Sequence, residues 1–167
     1  PQEKGGPAIS LAPGETYDAY KERVGRIGKL PSMANTLLNM ANPDSVPNME
    51  YTNDKILRLL EKKVDVGPIA NAIANKTGGI GLNSDQQEVI KYLEQRIRQQ
   101  ATRTDQDQTS IRSAFGNFGT NKDALMDIIY NDKGTLASQR LYYNGIRKYQ
   151  GDPNKPDLGA ISRSEEH

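Results

Sequence analysis

Apolar residues recur along this chain at intervals of three and four, the period of a helix with one buried face, and no stretch holds the alternating period of a strand. Tyr17, Tyr20, Val24 and Ile27 form the first such face, with Thr16 as its N-cap and Gly28 and Pro31 as its end. Ser32 opens a second helix carrying Met33, Leu37, Leu38 and Met40 up to a break at Asn42-Pro43. The segment 42–48, with two prolines, reads as a loop. A third helix starts at Asn53 and carries Ile56, Leu57, Leu59, Leu60 and Val64. Gly67-Pro68 opens a fourth, because proline is tolerated at the first helical position, where no donor is missed; its face is Ile69, Ala70 and Ile73. Thr77, Gly78, Gly79 and Gly81 end it and make residues 77–83 a candidate hinge.

Ser84 and Gln87 have the spacing of a capping box at the head of the longest stretch without Gly or Pro. A single helix over 84–116 would be about 50 Å long at 1.5 Å per residue. Its seam reads Val89, Leu93, Ile97, Ala101, Thr104, Gln108, Ile111 and Phe115, apolar at both ends and polar in the middle. That pattern predicts either a break within 102–108 or a polar centre that crosses water or meets a polar partner. The last helix is expected over 135–150.

The ends differ from this pattern. Residues 1–15 hold Gly5, Gly6, Pro7, Pro13 and Gly14 among few apolar groups, and 151–167 begin with Gly151, Pro153 and Pro156 and finish in a polar tail. Both read as extended arms around a helical domain at 16–150. The expected fold is therefore all-α: an irregular bundle of six or seven helices with one long helix and extended terminal arms.

Composition sharpens this picture. Only 35% of the 167 residues are hydrophobic, with no Trp and two Phe, and the mean hydropathy is −0.77, so the core is expected to be thin or completed by a partner. The longest apolar runs are a few residues, against the roughly 20 needed to span a bilayer, and no charged-then-apolar leader opens the sequence; a soluble chain is expected. Lys and Arg total 22 against 21 Asp and Glu, interspersed along the chain, which argues against nucleic acid as the partner. With no cysteine there is no thiolate nucleophile, thiolate metal site or disulfide.

The single histidine is His167, the last residue, so Ser-His-Asp catalysis, His-ligated zinc and imidazole acid–base chemistry find no group to act through. Carboxylates remain, but most of them fall on polar helix faces, where nothing shifts their pKa toward catalysis. The glycine cluster Gly78-Gly79-Ile80-Gly81 lacks the lysine and the preceding strand of a phosphate loop. Asp152-Pro153-Asn154 with Asp157 does not keep EF-hand spacing and reads as a helix end. No catalytic residue and no cofactor is assigned.

Tyrosines concentrate late, as Tyr130, Tyr142, Tyr143 and Tyr149, interleaved with Arg140, Arg147 and Lys148. On a helix, Arg140, Tyr143 and Arg147 share one face and Tyr142 and Tyr149 another. Such a mixture of aromatic and cationic groups serves protein contacts and single-stranded nucleic acid alike; with a net charge of +1, protein is the expected partner. Arg140, Tyr142, Tyr143, Arg147 and Tyr149 are the candidate interaction surface.

Residues 111–130 read IRSAFGNFGTNKDALMDIIY, and this segment resembles the opening of an annexin repeat through Ala114, Phe118, Gly119, Thr120, Asp123, Ala124, Leu125, Ile128 and Ile129. The likeness extends to about residue 151 through Gln139-Arg140, Tyr149 and Gly151. It implies a calcium site built from the carbonyls of Phe115, Asn117 and Gly119 with Asp157 as the downstream acid, docking calcium on phospholipid. Asn117 replaces the first loop glycine of the pattern, residue 159 is Gly, and no second repeat is found. The same residues also suit any tight helix–loop–helix, with Thr120 and Asp123 as a capping box and Leu125, Ile128 and Ile129 as a buried stripe. Single annexin-like units are also similar to segments of bacterial and phage particle proteins.

The function expected from these residues is that of a non-enzymatic structural or adaptor component of a larger assembly, such as a virion or phage particle. Its partners would be subunits of the same assembly. The alternative is an annexin-like calcium-dependent phospholipid binder, the one reading that involves a membrane.

Overall fold

A computed structural model describes residues 11–104 and 106–149. Within them the chain forms six helices and no strand: α1 (Tyr17–Leu38), α2 (Val46–Leu60), α3 (Gly67–Asn75), α4 (Ser84–Thr104), α5 (Gln108–Gly116) and α6 (Lys122–Tyr149). The all-α expectation holds. The C-terminal arm and residues 1–10 lie outside the described residues.

The chain divides into two compact units. One contains residues up to Asn39 and from Ser138 onward; the other is Met40–Ala137. The predicted hinge at 77–83 lies inside the second unit, and the boundaries fall after α1 and within α6.

In the first unit, Thr16 caps α1 as expected, its side chain accepting from the Ala19 amide at 3.2 Å. The helix does not stop at Gly28-Pro31: α1 runs through Pro31 to Leu38, merging the two helices expected there. Proline removes one amide donor and crowds the carbonyl four residues back. What carries the helix across it is the stripe Ile27, Leu30 and Ala34, buried together with Ile146 from α6. Breaking the helix would expose that stripe. Tyr17, expected on the buried face, is exposed instead. Of the expected N-terminal arm, the described part is turned, not extended: the Glu15 amide donates to the Ala12 carbonyl at 3.0 Å, and the Glu15 carboxylate takes Arg23 Nε at 2.9 Å and Nη2 at 3.1 Å.

The second unit holds the main core. Ile56 and Leu60 from α2, Ile69 and Ile73 from α3, Val89, Leu93 and Ile97 from α4, Ile111 and Phe115 from α5, and Leu125 and Ile129 from α6 form one buried cluster. Val64, Val66 and Phe118 join it from the connections. α2 begins well before Asn53. Ser45 is its N-cap, accepting from the Asn48 amide, and Pro47 sits in the first turn, so the segment read as a loop from its prolines is half helix.

The capping box of α4 is shifted by one residue from its expected place. The Gln86 amide donates to Asn83 Oδ1 at 2.9 Å and the Asn83 amide donates back to Gln86 Oε1 at 3.2 Å. α4 ends at Thr104 and Asp107 caps α5, so the polar centre of the 84–116 seam is a break. The longest helix is instead α6, at 28 residues. Its first turn is capped by Asn121, whose Oδ1 accepts from the Ala124 amide at 3.1 Å, and not by a Thr120–Asp123 box.

Candidate functional site

Three helices of the second unit each place a polar residue where the core stripe demands an apolar one. The buried positions of α2 include Val46, Met49, Asn53, Ile56 and Leu60, and those of α4 include Val89, Leu93, Arg96 and Ile97; α6 buries Leu125, Ile129 and Leu136 in this unit, with Asp132 in line between the last two. These three polar residues meet. Asp132 Oδ2 accepts from Arg96 Nε at 3.0 Å, from Arg96 Nη2 at 2.6 Å and from Asn53 Nδ2 at 2.6 Å.

Arg96 is fully buried. Its guanidinium lies over the Phe115 ring at 5.2 Å from the centroid, and Nη2 also donates to Gln100 Oε1 at 3.3 Å. Nη1 and Asn53 Oδ1 are buried without a hydrogen-bond partner. Burial pushes the Arg96 pKa below its ordinary value, with the nearby Arg103 adding to the shift, while the charge and hydrogen bonds of Asp132 oppose it. The arrangement is a buried ion pair whose carboxylate oxygen is taken up by three donors.

An open cleft of about 380 Å³ lies beside this cluster. Ser110, Ile111, Ala114 and Phe115 of α5 line one side, Ile128, Asn131, Asp132 and Thr135 of α6 the other, and Gln100 and Gln106 complete it. Asp132 is the single carboxylate in this lining. Its Oδ2 accepts from Arg96 and Asn53.

Two further ion pairs fasten helices together. Arg112 of α5 reaches Glu94 of α4 through both Nη atoms, Nη2 meeting Oε2 at 2.8 Å, and Nη1 also donates to the Ile73 carbonyl of α3 at 3.1 Å. The Glu94 hydrogen bonds hold the Arg112 pKa above its ordinary value. Lys133 pairs with Asp54 at 2.8 Å and is likewise raised, by that hydrogen bond first.

The candidate interaction surface is divided by the fold. Arg140 and Arg147 are exposed, whereas Tyr142 and Tyr143 are half-buried against the Ile27, Leu30, Ala34 and Ile146 cluster, their rings 5.2 Å apart. The Tyr143 hydroxyl approaches Met33 Sδ at 3.8 Å. The Tyr149 side chain lies outside the described residues. In the segment expected to supply calcium ligands, Phe115 and Phe118 are core residues, Asn117 is the exposed C-cap of α5, and Gly119 has φ +56°. Asp157 lies outside the described residues, and no group of three or more metal-binding side chains occurs among those that are described.

Arg96 and Asp132 were not singled out from the sequence and Asn53 was read only as the start of a helix, yet each breaks an apolar stripe of period three and four. No family model, curated protein or solved structure matches this chain.

Proposed function

We propose that the protein is a non-enzymatic structural or adaptor component of a larger assembly, with protein subunits as its partners and a particle such as a virion as the assembly in view. The observation that carries this reading is the surface: Met40, Tyr51, Ile80, Tyr130 and Leu141 are each more than half exposed, although apolar residues are scarce in this chain. A sequence with little apolar material that leaves large side chains outside its core has the composition of a surface meant to be covered. The ion pairs Arg96–Asp132, Arg112–Glu94 and Lys133–Asp54 each join one helix to another, which suits a scaffold.

The test is sedimentation of the protein from its native source. It should travel with a complex much heavier than 18.5 kDa, and Arg140→Ala with Arg147→Ala should release it without loss of helical circular dichroism. A chain that travels alone in every fraction overturns the reading.

The annexin-like alternative is favoured by one observation, Gly119 in the left-handed region of a short connection between α5 and α6. Its test is calcium-dependent sedimentation with anionic liposomes, released by chelation and lost in Asp157→Ala.

A further inference from the structure

The connection between α3 and α4 presents an isoleucine to solvent at its tip. The Leu82 amide donates to the Gly79 carbonyl at 3.1 Å, closing a four-residue turn with Ile80 in its second position. Gly81, at φ +86°, takes the third, where a type II turn requires glycine. The turn is fastened from below: Gln87 Nε2 donates to the Leu82 carbonyl at 3.0 Å, and a Cβ added at Gly79 would stand 2.5 Å from Ile90 Cδ1 in the core. Ile80 is 90% exposed, more than any other large hydrophobic side chain among the described residues. Glycines on both sides leave it standing clear, and the turn fixes its place before any partner arrives, so little freedom is lost on docking.

A socket for such a knob lies on the same compact unit, Met40–Ala137. The cleft of about 380 Å³ between α5 and α6 has Ile111, Ala114, Phe115 and Ile128 in its walls, and it holds an isoleucine side chain with room for the glycine backbone beside it. The charges are complementary. Lys76, which is exposed, is the single charged residue in 76–84. None of the described residues lining the cleft is Lys or Arg, its carboxylate is Asp132, and the exposed Asp127 stands one turn before Asn131 on the α6 side. Knob and socket belong to opposite ends of α4: the turn leads directly into Ser84, and from there to Gln100 on the rim of the cleft the helix rises about 24 Å. Ile80 is therefore placed to fill the cleft of another copy and not its own.

We infer that Ile80 of one copy of this chain seats in the α5–α6 cleft of another copy, joining the chains head to tail. Because the two surfaces differ, the contact is heterologous: every added copy still offers one knob or one socket, so the association extends into an open row or closes into a ring. The inference rests on the assembly reading above and names its first partner.

The test uses the full 167-residue chain and two variants. Light scattering of the parent should give a mass that rises with concentration past twice 18.5 kDa. Ile80→Arg removes the knob at a site where the side chain is 90% exposed, and Ala114→Arg fills the socket from an exposed position on α5. Each variant alone should give the mass of one chain, with helical circular dichroism unchanged. Mixed in equal amounts they should give twice 18.5 kDa and nothing larger, since the first still has its socket and the second its knob. Ile80→Val, which keeps an apolar knob, should assemble as the parent does. A parent chain that stays single at high micromolar concentration, an Ile80→Arg variant that assembles like the parent, or a mixture that stays at the mass of one chain overturns the inference. A parent that is single when pure but sediments with a heavier complex from its native source refutes the head-to-tail contact and leaves the assembly reading standing.

Discussion

Arg96 of α4 and Asp132 of α6, 36 residues apart in sequence, meet through two hydrogen bonds onto one carboxylate oxygen, the shorter at 2.6 Å, with the arginine side chain wholly removed from solvent. The relationship ties the two helices at a point where each would otherwise present an apolar residue to the core. A buried pair of this kind adds little net stability over a hydrophobic substitute, but it is costly to break from one side, because the remaining charge has no water to turn to.

Asp132→Ala should therefore destabilise the second unit by about 3–5 kcal/mol in chemical denaturation, with Arg96 and Asn53 both losing their acceptor. The triple variant Asn53→Leu, Arg96→Met, Asp132→Leu should recover most of that loss, within about 2 kcal/mol of the parent. If the single and triple variants are equally destabilised, the cost lies in packing volume and not in the stranded charge.

The glycine cluster after α3 offers a paired measurement. Gly78 has φ +71° with open space around it, and Gly79 has φ +78° with Ile90 Cδ1 at 2.5 Å from where a Cβ would stand. Gly78→Ala should cost about 1–2 kcal/mol, the penalty of a left-handed conformation alone. Gly79→Ala should cost about 1–3 kcal/mol more, because Ile90 must move within a packed core. Equal losses at the two sites would mean that Ile90 shifts without resistance.

Periodicity revealed the helical class and many of the core residues, from Ile56 and Leu60 to Leu125 and Ile129, because burial on one face leaves a direct mark on spacing. Boundaries were less legible where two local signals competed. Asn83 and Ser84 are both good caps, and the choice between them was made by Gln86, which is buried and donates to the Asp65 carbonyl at 3.0 Å, a tertiary contact no local rule contains. At Pro31 and Pro47 the proline rule gave an end and a loop, whereas one proline lies inside a helix held by its neighbours' burial and the other in a first turn. The cluster at Asp132 was visible in outline as three polar residues in apolar stripes. That they would find one another depends on how α2, α4 and α6 pack, which spacing along a single helix does not encode.

Replacing Pro31 should raise stability. Pro31→Ala restores an amide that can donate to the Ile27 carbonyl and removes the ring from that carbonyl's path, a gain of up to about 3 kcal/mol, less the roughly 1 kcal/mol by which proline restricts the unfolded chain. The expected net is about 1–2 kcal/mol, read as slower hydrogen exchange at Leu30–Ala34 amides in α1. Faster exchange there would mean that α1 uses the proline to fit its buried stripe.

The cap of α4 provides the last prediction, because neighbouring side chains should respond in opposite ways. Ser84 is exposed, and Ser84→Ala, exchanging serine for a better helix former, should be neutral or slightly stabilising. Asn83→Ala removes the acceptor for the Gln86 amide and should cost about 1 kcal/mol. Gln86 does two jobs at once: Oε1 accepts from the Asn83 amide at 3.2 Å while Nε2 donates to the Asp65 carbonyl at 3.0 Å, linking the head of α4 to the connection before α3. Gln86→Glu keeps the first and destroys the second, setting a carboxylate against a carbonyl oxygen at a buried position, so its loss should exceed that of Asn83→Ala and reach about 2–3 kcal/mol near neutral pH. Lowering the pH until the new side chain is protonated restores a donor, and the deficit should shrink. A Gln86→Glu variant as stable as the parent at neutral pH would show that the Asp65 tether contributes nothing and that the register of the cap was chosen by Asn83 alone.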